Sequence, residues 1–155
     1  RWGLGSNPVR TLFVGNVVLW AIAALFTIQP SIVLLTAGML GYMSAVPFIE
    51  AAEQTIVQKV VPPERQGRVF GLAQSIEQAA TPVATFLIGP IAELLFIPWM
   101  TTGRGTELIG DWFGTGASRG IALVFTVTGV VGLVLTLAAM RTRYYRLLAE
   151  RYVEG

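Results

Sequence analysis

Residues 11–49 are nearly free of charge, and apolar residues fill two stretches there that continue to residue 57. The first, 11–28, is roughly 18 residues, just enough to cross about 30 Å of hydrocarbon as a helix. Gln29-Pro30-Ser31 is an uncharged turn, and the second stretch follows over 32–57. It holds the small residues Gly38, Gly41, Ser44 and Ala45, which allow close helix approach. Pro47 predicts a kink there, and the stretch ends polar at Glu50, Glu53, Gln54 and Gln58. A third apolar stretch covers 69–97, with kinks expected at Pro82 and Pro90 and a Gly-x-x-x-Gly step at Gly67 and Gly71. At roughly 29 residues it exceeds the bilayer core, so it must tilt, kink or protrude. A fourth covers 120–140, with Gly129 and Gly132 on it as expected packing positions. The pattern predicts an all-α membrane protein of four transmembrane helices in a single membrane domain.

The connections differ in character. Residues 58–68 form a compact charged hinge with Lys59, Arg65 and Arg68, as a short cytoplasmic loop between two spans should. Two prolines cannot sit inside one continuous helix without disturbing it. Pro63 instead suits the first turn of the next helix, with Glu64 facing its positive dipole end. The stretch 98–119 reads as a long external loop rich in glycine. Within it Thr106 could cap a short turn carrying Leu108, Ile109, Trp112 and Phe113, and a mobile loop is the open alternative. Trp99, Trp112 and Phe113 fit an aromatic belt. After 140 comes a basic tail, 141–155, in which Tyr145, Leu148 and Tyr152 share one helical face. It predicts a cytoplasmic helix on the membrane surface.

Nine of the eleven Lys and Arg residues fall on one side of this scheme: Arg1, Arg10, Lys59, Arg65, Arg68, Arg141, Arg143, Arg146 and Arg151. Arg104 and Arg119 fall on the other. The bias places the first set in the cytoplasm of a cell (plasma) membrane protein with both ends inside.

Charged residues make up 13% of the chain, about half of what a soluble domain carries. A net charge of +2 gives no field that points to nucleic acid. There is no cysteine and no histidine, which removes thiolate chemistry and the commonest general base and metal ligand. An intramembrane serine protease lacks its base, Asp111 is the lone aspartate, and no clustered ligands suggest a metal. No enzyme, metal site or cofactor is expected. The chain starts at Arg1 with no signal-peptide pattern and reads as a piece of a longer polypeptide.

Ionisable groups inside spans are costly, so each is a functional candidate. Glu77 lies about eight residues into the third stretch, roughly 12 Å along the axis. Gln74, Glu77, Thr81 and Thr85 follow at steps of three, four and four, which draws one polar stripe. Such a stripe should face a cavity or another helix, and burial would raise the Glu77 pKa toward neutrality. It reads either as a proton-coupling or substrate-binding carboxylate or as an interhelical hydrogen-bonding residue. Glu50 and Glu53, one turn apart, either share a proton or meet Arg65 or Arg68 in a gate-closing salt bridge. Glu93 either caps the pathway or meets water.

The run Val61-Pro62-Pro63-Glu64-Arg65-Gln66-Gly67-Arg68-Val69-Phe70 resembles the loop between the tenth and eleventh helices of major facilitator superfamily transporters. The nearest branch is the drug:proton antiporters of the macrolide-efflux and enterobactin-exporter kind. Gly89-Pro90-Ile91-Ala92-Glu93 resembles the Gly-Pro-x-Ala-Asp/Glu end of their eleventh helix, and Arg68 the arginine of their Gly-Arg-Val motif. Arg1, Gly3, Gly5 and Arg10 could be remnants of the motif between helices eight and nine, without its Asp. The resemblance implies about helices 9–12, part of the C-terminal six-helix half of a major facilitator fold. It implies a multidrug-type efflux antiporter exporting a lipophilic or amphipathic small molecule in exchange for protons by alternating access. Its partners would be the lipid bilayer, the preceding helices of the parent transporter, the small-molecule substrate and protons, with no nucleic acid. Helices ten and eleven line such a bundle, which favours the second and third stretches as functional, with Phe48 and Phe86 as pocket lining. A non-transporting membrane anchor or scaffold module is the alternative.

Overall fold

The computed structural model describes residues 8–142. They form α1 (Pro8–Leu25), α2 (Ile32–Val60), α3 (Pro63–Ile91), a π-helical turn (Ala92–Phe96), α4 (Ile97–Thr101), α5 (Arg104–Phe113) and α6 (Ala117–Met140). Three helices are long and apolar enough to cross a membrane: Ile32–Val60, Pro63–Thr101 and Ala117–Met140. The described residues are accordingly all-helical, those of a multi-pass membrane protein. Val9–Leu25 is apolar but shorter, so the first expected span is the one of four that falls below full length. Residues 1–7, and the tail helix expected around Tyr145, Leu148 and Tyr152, lie outside the described residues.

α1 is the centre of the packing, with α2 on one side and α6 on the other. Both neighbours run antiparallel to it. Gly15 faces Ile49, Gly41 faces Ile22 and Gly38 faces Phe26, so α2 descends as α1 rises. On the other flank Gly132 faces Trp20 and Gly129 faces Ala24, so α6 descends in the same way. The expected packing glycines Gly38, Gly129 and Gly132 therefore sit at close contacts, whereas Gly41 makes only ordinary contact. Ser31 starts α2, its Oγ accepting from the Leu34 amide at 3.3 Å.

Two expected loops are mostly helix. Of 58–68, only Val61 and Pro62 lie outside a helix. Pro63 opens α3, where its missing N–H costs nothing. Within this hinge the Gln66 amide donates to the carbonyls of Gln58 and Val61, both at 2.9 Å. It thereby satisfies carbonyls that the end of α2 leaves without intrahelical partners. Gln66→Ala is expected to cost about 1 kcal/mol and to speed protease nicking of the α2–α3 junction. An unchanged nicking rate would show that the prolines alone set the junction.

The third span is longer than its apolar run. Pro63–Thr101 is a continuous 39 residues, about 58 Å at helical rise, against a hydrocarbon core of about 30 Å. Near its far end the Ile97 amide bonds to Ala92 O, five residues back. Pro98, which begins the next turn, cannot donate, and its ring would press on the carbonyl four residues before it; widening the preceding turn accommodates that. The helix passes through the Gly89-Pro90 pair and ends eight residues after Glu93.

Of 98–119, most is helix as well. α5 occupies ten residues and is joined by Thr102–Gly103 and Gly114–Gly116 to its neighbours. Gly103, not Thr106, takes the N-cap position; the Thr106 hydroxyl donates to Gly103 O at 2.7 Å. Gly114 and Gly116 have φ of +90° and +104°, which a residue with a side chain adopts only under strain. A small core closes this end: Met100, Phe113, Ala122 and Leu123 are buried, with Ile28, Phe96, Trp99 and Ile109 around them.

The helices sort the described charges by end. Arg10, Lys59, Arg65, Arg68 and Arg141 lie at the end holding the α2–α3 hinge, and Arg104 and Arg119 at the end holding α5.

Candidate functional site

α3 carries the expected polar stripe, and its surroundings set what that stripe can do. Every residue from Gly71 to Ile91 is exposed, and α3 buries no residue. It meets α2 at the hinge, and its continuation through the π turn and α4 packs against α6. The Thr81 hydroxyl bonds to Glu77 O at 3.1 Å, and the Thr85 hydroxyl to Thr81 O at 2.9 Å. Both threonines thus satisfy their hydroxyls on their own helix. Glu77 and Gln74, one turn apart, keep their polar groups exposed without a hydrogen-bond partner among the described residues. The described helices leave Glu77 exposed.

The gate candidates are close in sequence but not joined in space. Glu50, Glu53, Arg65 and Arg68 are all exposed, and among the described residues no ion pair links the two carboxylates to the two arginines. Glu93 is exposed in the π turn. Phe48 lines a shallow groove of about 450 Å³ between α1 and α2, beside Val14, Ala45 and Ile49. Phe86 is 78% exposed on α3 and does not share that groove.

Two features went unseen in the sequence. One is an aromatic groove of about 490 Å³ between α1, α2 and α6, lined by Trp20, Phe26, Met39, Tyr42, Phe125 and Thr128 among others. Phe26 and Phe125 meet edge to face with centroids 5.7 Å apart, a favoured ring geometry. The Tyr42 and Thr128 hydroxyls have no hydrogen-bond partner among the described residues. The groove carries no charged residue, and its walls suit an uncharged apolar molecule able to accept a hydrogen bond.

The other feature is Arg119. Its Nη2 donates to Thr27 O and Ile28 O, both at 2.9 Å, in the turn after α1. Its Nε donates to Phe113 O at the last residue of α5, and the guanidinium sits 4.3 Å from the centroid of the Phe113 ring. One side chain therefore joins the α1–α2 turn, α5 and α6. Beside it Thr27 is buried, donating to Ala122 O at 3.1 Å. No cluster of potential metal ligands occurs among the described residues. The signal for the groove was the run of aromatic and small residues on three separate stretches. Arg119 offered only its position at the end of the expected external loop, just before an apolar run.

No family model matches the chain, and no curated protein or solved structure matches it either.

Proposed function

We propose that this chain is part of a secondary active transporter that exports a lipophilic or amphipathic small molecule in exchange for protons by alternating access. In this reading α1, at about 27 Å, serves as a fourth span, and the four helices belong to the C-terminal half of a major facilitator bundle. The observation that carries it is Glu77, a carboxylate without a partner among the described residues, in a polar stripe on a membrane-length helix. An exposed charge of this kind in a span belongs to a water-filled pathway or against another helix, not in lipid. Further helices of the same bundle would cover α3 and face Glu77. The partition of basic residues supports cytoplasmic placement of the hinge and of both ends in the cell membrane.

The test uses inside-out vesicles containing the full-length polypeptide, an imposed proton gradient and a lipophilic cationic dye. Gradient-driven uptake is expected for the wild type and its loss for Glu77→Gln at equal protein level. Uptake that survives the substitution would return Glu77 to a packing role. No wild-type uptake across several dyes would favour a narrow-substrate exporter or a non-transporting membrane anchor.

A further inference from the structure

The short helix α5 divides its circumference into three sectors. At roughly 100° per residue, Ile109 and Phe113 fall together, Leu108 and Trp112 come next, and Glu107, Asp111 and Arg104 follow. The first sector is turned inward: Phe113 is 1% exposed and Ile109 packs on the core of Met100, Ala122 and Leu123. The second is turned outward, with Leu108 69% and Trp112 56% exposed. The third is charged and exposed. This corrects the expected aromatic belt: Phe113 is a core residue, Trp99 is half-buried, and Trp112 alone of the three faces out.

The depth of α5 is set by α6. α6 is 24 residues, about 36 Å, little more than the hydrocarbon core it crosses. α5 packs on Ala122 and Leu123, a turn and a half into α6, and three residues tie it to the start of that helix. The Gly116 amide bonds to Met100 O at 2.8 Å, and Arg119 holds the α5 C-terminus. The excess length of Pro63–Thr101 therefore projects at the opposite, hinge end. α5 cannot rise away from the level where α6 emerges. In the π turn before α4, Leu94 and Leu95 are 80% and 60% exposed.

We propose that α5 is an interfacial helix that lies in the membrane surface, with Leu108 and Trp112 seated at the boundary between lipid headgroups and acyl chains and Glu107, Asp111 and Arg104 turned to water. A partly apolar helix of this kind gains stability from the buried apolar area, and tryptophan favours that depth because its ring is apolar and its N–H wet. Because Arg119 joins α5 to the turn between α1 and α2, the seating also fixes the height of that turn in the bilayer. This inference rests on the membrane character of the helices and not on transport.

These 155 residues contain no cysteine; any cysteine elsewhere in the full-length protein is first replaced by serine, and single cysteines are then placed at 107, 108, 111 and 112. Each is labelled with a nitroxide in the full-length protein in phosphatidylcholine–phosphatidylglycerol vesicles. Collision with oxygen, which prefers lipid, is compared with collision with a neutral nickel chelate, which prefers water. The oxygen-to-nickel ratio is expected to be several-fold higher at 108 and 112 than at 107 and 111, with 108 and 112 at shallow depth. Equal, water-like ratios at all four positions would overturn the proposal. So would low collision with both reagents at 108 and 112, which would mean that protein covers them, or a depth near the bilayer centre. Unchanged circular dichroism accompanies each variant, and the share of tryptophan quenching by shallowly brominated lipid that Trp112→Phe removes gives a label-free check: if that substitution removes none, the proposal is overturned.

Discussion

Gly129→Leu is expected to unseat α6 from α1 and abolish stable folding in the membrane. Any Cβ at this position would run into the backbone of Ala23 and Ala24, lying 2.7 Å from Ala24 Cα. A backbone cannot rotate aside as a side chain can, so the two helices would have to separate along the whole contact. Overpacking in a tight interior costs about 1–3 kcal/mol even for small additions. Membrane helices associate through such close packing because lipid offers no hydrophobic drive to bring them together. Gly129→Ala alone is expected to cost roughly 2 kcal/mol, which outweighs the gain of about 1 kcal/mol that alanine brings to a helix interior. Gly71→Ala is the contrast, since nothing lies within 4 Å of its added methyl and the helix gain is left unopposed. Thermal unfolding in detergent should therefore move in opposite directions for the two alanine variants. Equal tolerance of both would sink the close-packing account. Equal damage would mean that a helix from elsewhere packs against Gly71.

The helices were legible because hydropathy marks where a chain can lie in lipid. It does not mark where a helix ends, and this is why the boundaries moved. Glu64, Arg65, Gln66, Lys59 and Gln58 are polar, but all are good helix formers, so α2 and α3 continue through them into water and only Val61 and Pro62 interrupt. In the same way α5 hid among glycines. Two of them, Gly103 and Gly114, flank it, and the four-residue steps from Leu108 to Trp112 and from Ile109 to Phe113 carry the helical period. The stripe on α3 was readable from steps of three and four, because helix geometry alone puts those residues in line. What faces the stripe was not readable, since that depends on neighbours that local sequence does not encode. The expected ion pairs illustrate this: Glu53 and Arg65 are twelve positions apart, yet each follows its own helix surface into solvent. The aromatic groove is similarly built from three stretches, and only the fold brings Trp20, Tyr42 and Phe125 together.

Arg119→Met is expected to be nearly as damaging, by a different route. Arg119 is the third residue of α6, where a cation opposes the helix dipole, so its local sequence position gives no reason for it. Its partners lie elsewhere: carbonyls of Thr27 and Ile28 beyond the end of α1, and of Phe113 at the end of α5. These are helix C-terminal ends, which carry unsatisfied carbonyls and partial negative charge, and a cation there is favoured. The Phe113 ring beneath adds a cation–π contact at 4.3 Å. Methionine keeps the apolar stem but leaves three carbonyls without their donor at a partly buried site. With hydrogen bonds to charged groups worth about 1.5–3 kcal/mol each and not additive, a loss on the order of 3 kcal/mol is expected. Arg119→Lys should recover only part of it. A single ammonium can approach one or two of these carbonyls, but it has no planar fork to reach all three and no flat face to lay on the ring. The ordering wild type, Lys, Met in unfolding temperature is thus the expected result. A second readout separates this from general destabilisation: a label at 108 should lose its depth in Arg119→Met while one on α2 stays in place. If lysine matches arginine, charge alone is enough and the fork plays no part. If methionine matches both, the α1–α2 turn and α5 are held by the Met100 and Phe113 core without Arg119.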